Sequence, residues 1–167
     1  WGKSFGAAFA SGGGVAMFHI AGWTPEASDV AEATGGQELK MRVHVARQDL
    51  VAVYNELNTA SVDSKLGGVS IGTPHLSRNQ LVELASLLNG RQVRVPTFAT
   101  TSRAVAAAEP DSILKLEEGG VTIVRDTCTY GPSRVLRPNG AMMTNSAKWA
   151  YYAPAHLGYQ RSEEHTS

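Results

Sequence analysis

The alternation of signals between residues 69 and 125 constrains this chain more than any other feature. "VSIG" at 69–72 is short, β-branched and glycine-terminated. Ser77-Arg78-Asn79-Gln80 then has the spacing of a capping box, and Leu81, Leu84, Leu87 and Leu88 follow at helical period. Asn89-Gly90 ends that helix. The pattern recurs downstream. Val93–Thr100 reads as a strand, and Ser102 caps a helix over Ala104–Ala108. Pro110-Asp111 opens another helix that Gly119-Gly120 closes, and residues 121–125 form the next strand. Parallel strands need a crossover, and a helix is the usual one, so this alternation predicts an α/β fold with a largely parallel sheet. "GAMMTNS" at 140–146 predicts a further strand and turn, with a helix from about Ser146. Upstream, "VAMFHI" at 15–20 predicts a buried strand reached through Gly12-Gly13-Gly14. "MRVHV" at 41–45 alternates as a half-buried strand would, and Leu50, Val53, Tyr54 and Leu57 share one helical face. Asp126–Asn139 is expected to be a long loop at the sheet's edge.

Composition removes several function classes. The chain has 167 residues, 43% hydrophobic and 18% charged, enough for a globular core and too apolar for disorder. Fifteen basic residues balance fifteen acidic ones without a basic cluster, so neither nucleic acid nor an anionic membrane surface is an expected partner. No apolar run reaches the roughly 20 residues of a membrane span. One cysteine makes no internal disulfide, which fits a reducing compartment, the cytoplasm. The Gly12–Gly14 run has neither the GxGxxG spacing nor the Lys-Ser/Thr of a phosphate loop, so no nucleotide site is assigned. The chain starts at Trp1 rather than Met, and "RSEEHTS" at 161–167 resembles an in-frame translation of a sequencing adapter. Residues 1–160 are therefore expected to be part of one larger domain, and 161–167 a non-native tail.

In open α/β sheets, ligands bind outside the carboxyl ends of the strands. The polar residues after each predicted strand are "GWTPEAS", "TPHLS", "TTSR", "DTCTY" and "TNSAK". Cys128, the lone cysteine, reads either as a small buried hydrophobe or as a thiolate ligand or nucleophile, depending on its surroundings. His75 stands before a helix start; it could move a proton, help hold an anion, or simply bond to nearby backbone. His19, inside an apolar run, reads by itself as a core histidine. "TPEA" at 24–27 is fully explained as a helix start with Thr24 as cap and Glu26 in the first turn. Arg103 suits a carboxylate or phosphate, or a surface ion pair. Lys148 falls in the first turn of its helix, where the dipole disfavours a cation, so an anion nearby would account for it.

Taken together, "GAAFASGGGVAMFHIAGWTPEA", "VSIGTPHLSRNQLVELASLL", "TTSRAV", "VTIVRDTCTY" and "MMTNSAKWAYYAP" resemble the aconitase X family, in the family's order and across nearly all of residues 1–157. The resemblance implies an aconitase-like layered α/β fold, incomplete here and corresponding to the C-terminal part of the large domain. It implies a lyase that removes water from a small hydroxy acid: cis-3-hydroxy-L-proline in bacterial members, mevalonate 5-phosphate in archaeal ones. It also implies iron, as an iron–sulfur cluster or a single ion, and a small swivelling domain or subunit that closes the site. Cys128 matches a family ligand position and is expected to bind the iron. Where many relatives have Cys before Pro-His, this chain has Thr73, so further thiolates must come from outside this region; the threonine form is more like the hydroxyproline branch. On this resemblance His75, Glu26 and Lys148 are the catalytic candidates. Thr73, Ser102, Arg103, Asn145 and Ser146 are the substrate-binding candidates. A relative that binds a small anion without catalysis, or acts as a structural subunit, is the competing expectation.

Overall fold

The computed structural model describes residues 2–130 and 139–157. Its centre is a four-stranded sheet, β1 (Leu66–Leu76), β2 (Thr97–Thr101), β3 (Val121–Arg125) and β4 (Ala141–Thr144), in the order β3-β2-β1-β4. Every pairing is parallel. Val69 lies opposite Thr97 and Thr97 opposite Val121, while Ser70 lies opposite Thr144. The crossovers are α4 (Arg78–Leu88), then α5 (Arg103–Ala108) and α6 (Pro110–Glu118). Their starts are those the sequence predicts. Ser77 caps α4 reciprocally with Gln80, Ser102 Oγ accepts from the Val105 amide, and Pro110 opens α6.

A parallel sheet must be covered on both faces. On one face Leu76, Ala99, Val121 and Ile123 meet Leu81 and Ala85 of α4, Ala106 of α5 and Leu116 of α6. On the other, Tyr130 packs with Trp149 and Ala153 of α7 (Ala147–Leu157), joined by Phe98, Cys128 and Met142. Phe98 and Ala99 are adjacent in β2 and serve opposite cores, as strand alternation requires. Close backbone contact explains the glycines of β1. A Cβ on Gly67 would sit 2.8 Å from the Asn139 backbone, and one on Gly72 2.6 Å from the Thr100 carbonyl.

The region before residue 66 departs from expectation. Residues 15–20 and 41–45 form no strand. A strand exists only where a neighbour takes its N–H and C=O groups, and neither segment has one among the described residues. Met41, Val43 and Val45 are 77%, 70% and 63% exposed. Phe18 instead packs against Phe5 and Phe9, and His19 is exposed rather than a core residue. "TPEA" is a turn, not a helix start: Thr24 Oγ1 accepts from the Ile20 amide, and α2 (Val30–Thr34) begins later, capped by Asp29. The helix near residue 50 is α3 (Arg47–Leu57). An unexpected helix, α1 (Gly2–Gly13), packs against α7. Its glycines mask it in a propensity reading, although Phe5 and Phe9, stacked at 4.7 Å one turn apart, carry the helical signal. The strand predicted at 93–100 begins only at Thr97, because the Val93 amide goes to the Gly119 carbonyl instead. Most of the loop predicted at 126–139, and the tail at 161–167, lie outside the described residues.

Candidate functional site at the β1/β4 switch point

The strand order places a crevice. From β1 the chain winds outward through β2 to β3 and then returns to add β4 on the other side of β1. Ligands of doubly wound sheets bind where the winding reverses, outside the carboxyl ends. Here that point lies between the ends of β1 and β4, which carry Thr73 and His75 on one side and Asn145, Ser146 and Lys148 on the other.

The two strand ends are stitched together. Ser146 Oγ donates to the Thr73 carbonyl and accepts from the Trp149 amide at 3.0 Å, so one hydroxyl caps α7 and ties it to β1. Asn145 Oδ1 accepts from the Gly72 amide at 3.4 Å. The Thr73 hydroxyl is buried and has no hydrogen-bond partner. Such an atom normally finds one, so it is a donor and acceptor held ready at the crevice. Lys148 follows in the first turn of α7, half-buried, with no carboxylate pairing with it among the described residues.

The loop after β3, which carries the thiol, reaches back to β1 and α7, although β3 is the far edge strand. Thr127 O bonds His75 Nε2 at 3.0 Å. A carbonyl only accepts, so Nε2 donates and Nδ1 is the ring atom left for another partner. Thr129 Oγ1 bonds Ser70 Oγ of β1 at 2.6 Å and accepts from Trp149 Nε1 of α7 at 2.7 Å. Cys128 is the residue between these two anchors, half-buried against the Tyr130–Trp149–Ala153 cluster. Burial and the neighbouring Cys128 push the Tyr130 phenol up to about 12.

The remaining candidates sit at the margin. Ser102 is occupied as a helix cap. Arg103 is paired with Asp126 through its side chain, and its amide donates to Asp126 Oδ1 at 2.9 Å, so the surface ion pair is its role in this structure. Glu26 is exposed on the 20–27 turn, with no hydrogen bond or ion pair to the described residues. That turn still comes close: the Trp23 ring covers Gly2, and the next residue, Lys3, donates from Nζ to the His75 carbonyl and to Gln80 Oε1 at 3.1 Å. Burial lowers the Lys3 pKa. Lys3, Ser70, Thr129 and Trp149 were not legible as site residues, because their contacts span long stretches of chain and leave no local spacing. A surface hollow of about 380 Å³ lies elsewhere, between α5 and α6, lined by Ala106, Pro110, Ile113 and Leu114 among others.

Comparison with known proteins gives the family. Residues 66–164 match the aconitase X third domain and residues 1–55 the aconitase X second domain. The chain belongs to the aconitase X family. It is 39% identical over 165 residues to a cis-3-hydroxy-L-proline dehydratase of Pseudomonas aeruginosa, covering 95% of this chain and 28% of that protein. It is 35% identical to the phosphomevalonate dehydratase large subunit of Methanosarcina mazei, covering 95% of this chain and 37% of that one. The crystal structure of Thermococcus kodakaraensis aconitase X in its holo-form superposes with a TM-score of 0.73 at 29% identity, covering 92% of this chain and 39% of that chain. The chain thus spans between 28% and 39% of the lengths of these aconitase X proteins.

An iron centre of the kind the family implies needs several soft or anionic ligands. Among the described residues no three His, Cys, Asp or Glu side chains come together. The chain's one thiol, Cys128, is half-buried on the loop whose Thr127 carbonyl bonds His75. These residues fit the contribution of a single sulfur ligand to a centre completed from elsewhere, not a whole metal site. Among the described residues no helix is long and apolar enough to cross a membrane.

Proposed function

We propose that this chain forms part of a hydro-lyase that dehydrates a small hydroxy acid, with cis-3-hydroxy-L-proline as substrate and Δ1-pyrroline-2-carboxylate as product. What supports the reading is that the loop carrying Cys128, the end of β1 with Thr73 and His75, and the start of α7 are tied to one another by hydrogen bonds near the switch point. The 39% identity to a dehydratase of that substrate selects among the family's chemistries.

The chemical difficulty is the departure of hydroxide, a poor leaving group, from the carbon next to an acidic C–H. Cys128 would hold the iron in part, and the iron when bound would supply Lewis acidity toward the leaving hydroxyl. The chain's own residues then have three tasks. Lys148 and the first amides of α7, with the Asn145 side-chain amide, hold the substrate carboxylate, whose negative charge grows as the neighbouring proton leaves, and Ser146 fixes the start of α7 through its own hydroxyl. His75 Nδ1 takes or relays that proton, with Glu26 a second carrier if the 20–27 turn folds inward. The Thr73 hydroxyl, unpaired in its buried setting, bonds a polar group of the substrate. Arg103 and Ser102 shape the rim beside Asp126. The enamine first formed tautomerises to the cyclic imine. A small swivelling subunit or domain closes over the crevice and excludes water.

The test uses the whole enzyme with its small partner, prepared anaerobically and assayed with cis-3-hydroxy-L-proline and with mevalonate 5-phosphate. Turnover of the proline and its loss in Cys128→Ala, together with lost iron, is the expected result. Full activity and unchanged iron in Cys128→Ala would reject the ligand role. Preference for the phosphorylated substrate would move the enzyme to the archaeal branch, and failure with both would favour the anion-binding relative.

A further inference from the structure

Cys128 is bracketed by two tertiary anchors of different strength. On its N-terminal side one hydrogen bond joins Thr127 O to His75 at the half-buried end of β1. On its C-terminal side Thr129 is completely buried, and its hydroxyl bridges Ser70, itself 1% exposed, to the indole N–H of Trp149, 4% exposed. Three elements from distant parts of the sequence thus meet at one hydroxyl: β1, the loop after β3, and α7. Neither threonine bond is part of sheet or helix, so neither is needed to form those elements. Their geometric consequence falls on the residue between the anchors.

We propose that Thr129, through Ser70 and Trp149, is a positioning residue that fixes the backbone of Cys128 and so sets where its sulfur lies and how firmly it is held. This rests on the reading of Cys128 as an iron ligand. Metal ligands hold best when their own supports lock them, and buried polar networks supply such locks when every member is satisfied. The Thr129 hydroxyl meets that condition with two partners in a dry setting. Exchange of threonine for valine keeps the shape of the side chain and removes the bridging oxygen, leaving the indole N–H without its acceptor. The loop should then open locally while the sheet stays folded.

The experiment uses the full-length enzyme. In the iron-free protein, alkylation of Cys128 by iodoacetamide is followed by peptide mass spectrometry; in the loaded protein, iron release to a chelator is timed. Thr129→Val should raise both rates roughly three- to tenfold, the population change that accompanies loss of about one buried hydrogen bond. Thr129→Ser, which keeps the oxygen, should restore both toward the original values. Trp149→Phe, which removes the N–H together with part of the buried ring, gives a second route to the same effect should Thr129→Val fold poorly, read beside the stability of the variant. Thr101→Val is the structural control: its hydroxyl is equally buried but bonds the Leu76 carbonyl at 2.8 Å, and the contact of Thr101 with the Cys128 loop runs through its backbone carbonyl to the Asp126 amide, which the exchange keeps. Rates in Thr129→Val and Trp149→Phe no higher than in Thr101→Val of matched stability would overturn the proposal. The two readings separate cleanly. If Cys128→Ala keeps its iron while Thr129→Val speeds alkylation, the ligand role falls and the clamp stands; if Cys128→Ala loses iron and Thr129→Val behaves as Thr101→Val, the clamp alone falls.

Discussion

Asp126 shows how a single residue aims the functional loop. It turns the chain after β3 with a φ of +58°, a conformation that aspartate tolerates better than most side chains. Its amide bonds the Thr101 carbonyl at 3.0 Å, and its carboxylate accepts from the Arg103 amide. That amide bond first, and then the Arg103 side chain, hold its pKa below the ordinary value against a smaller opposing effect of burial. A depressed folded value means stability that is present above the unfolded pKa of about 3.9 and is lost as pH falls through the lower folded one. Asp126→Asn should therefore remove that small contribution at neutral pH and leave the protein nearly unchanged at the acid end, so that the acid limb of the stability curve flattens. Chemical denaturation of the two proteins from pH 2 to 7 checks this, and parallel acid limbs would show the carboxylate to be uncoupled from folding. The sequence makes this residue legible as a neighbour of Cys128. It does not reveal the partners of Thr129 or the missing partner of Thr73, since those depend on which strands become adjacent.

At the level of elements, β1 carries the constraint. It is one of the two strands flanked on both sides, and its end must pass under the Thr100 carbonyl to present Thr73 and His75. Gly72 makes that passage possible, with a φ of +93° and no room for a Cβ, which would lie 2.8 Å from Leu76 Cγ. Gly72→Ala should cost about 2–4 kcal/mol, from backbone strain and overpacking together. Gly36→Ala separates the two contributions, because Gly36 also has a positive φ, +75°, but nothing within 4 Å of a built Cβ. Urea unfolding of both variants should show Gly72→Ala the more damaging by at least about 1 kcal/mol; equal losses would leave the tight passage without energetic weight. Elements from β1 onward were legible because each carries its own start and stop: the Ser77–Gln80 box, Asn89-Gly90, Pro110, Gly119-Gly120. Residues 15–20 and 41–45 have the right apolar period but no such punctuation, and period alone does not supply a strand's neighbour.

Over the whole molecule, burial is uneven. The two faces of the sheet are well covered, whereas the stretch from Leu39 to Tyr54 is not. Leu39, Met41, Val43 and Val45 are exposed, as are Leu50, Val51, Val53 and Tyr54 of α3. An apolar surface of this length beside an unpaired extended segment is a template for association. In residues 41–45 the alternation puts Met41, Val43 and Val45 on one side and Arg42 and His44 on the other, so a single register would pair copies through their apolar sides. The isolated chain should therefore self-associate. Replacing Met41, Val43 and Val45 together with threonine keeps strand propensity but removes most of the apolar surface. Light scattering after size exclusion should show the original chain larger than a monomer at micromolar concentration and the triple variant shifted toward monomer, with weaker binding of a hydrophobic dye. Because the three substituted residues are exposed and lie outside the sheet, the cooperative unfolding of the chain should be unchanged. An unaltered association state would mean that the exposed stripe does not drive assembly, and that the sheet's own edges at β3 and β4 are the sticky surfaces instead.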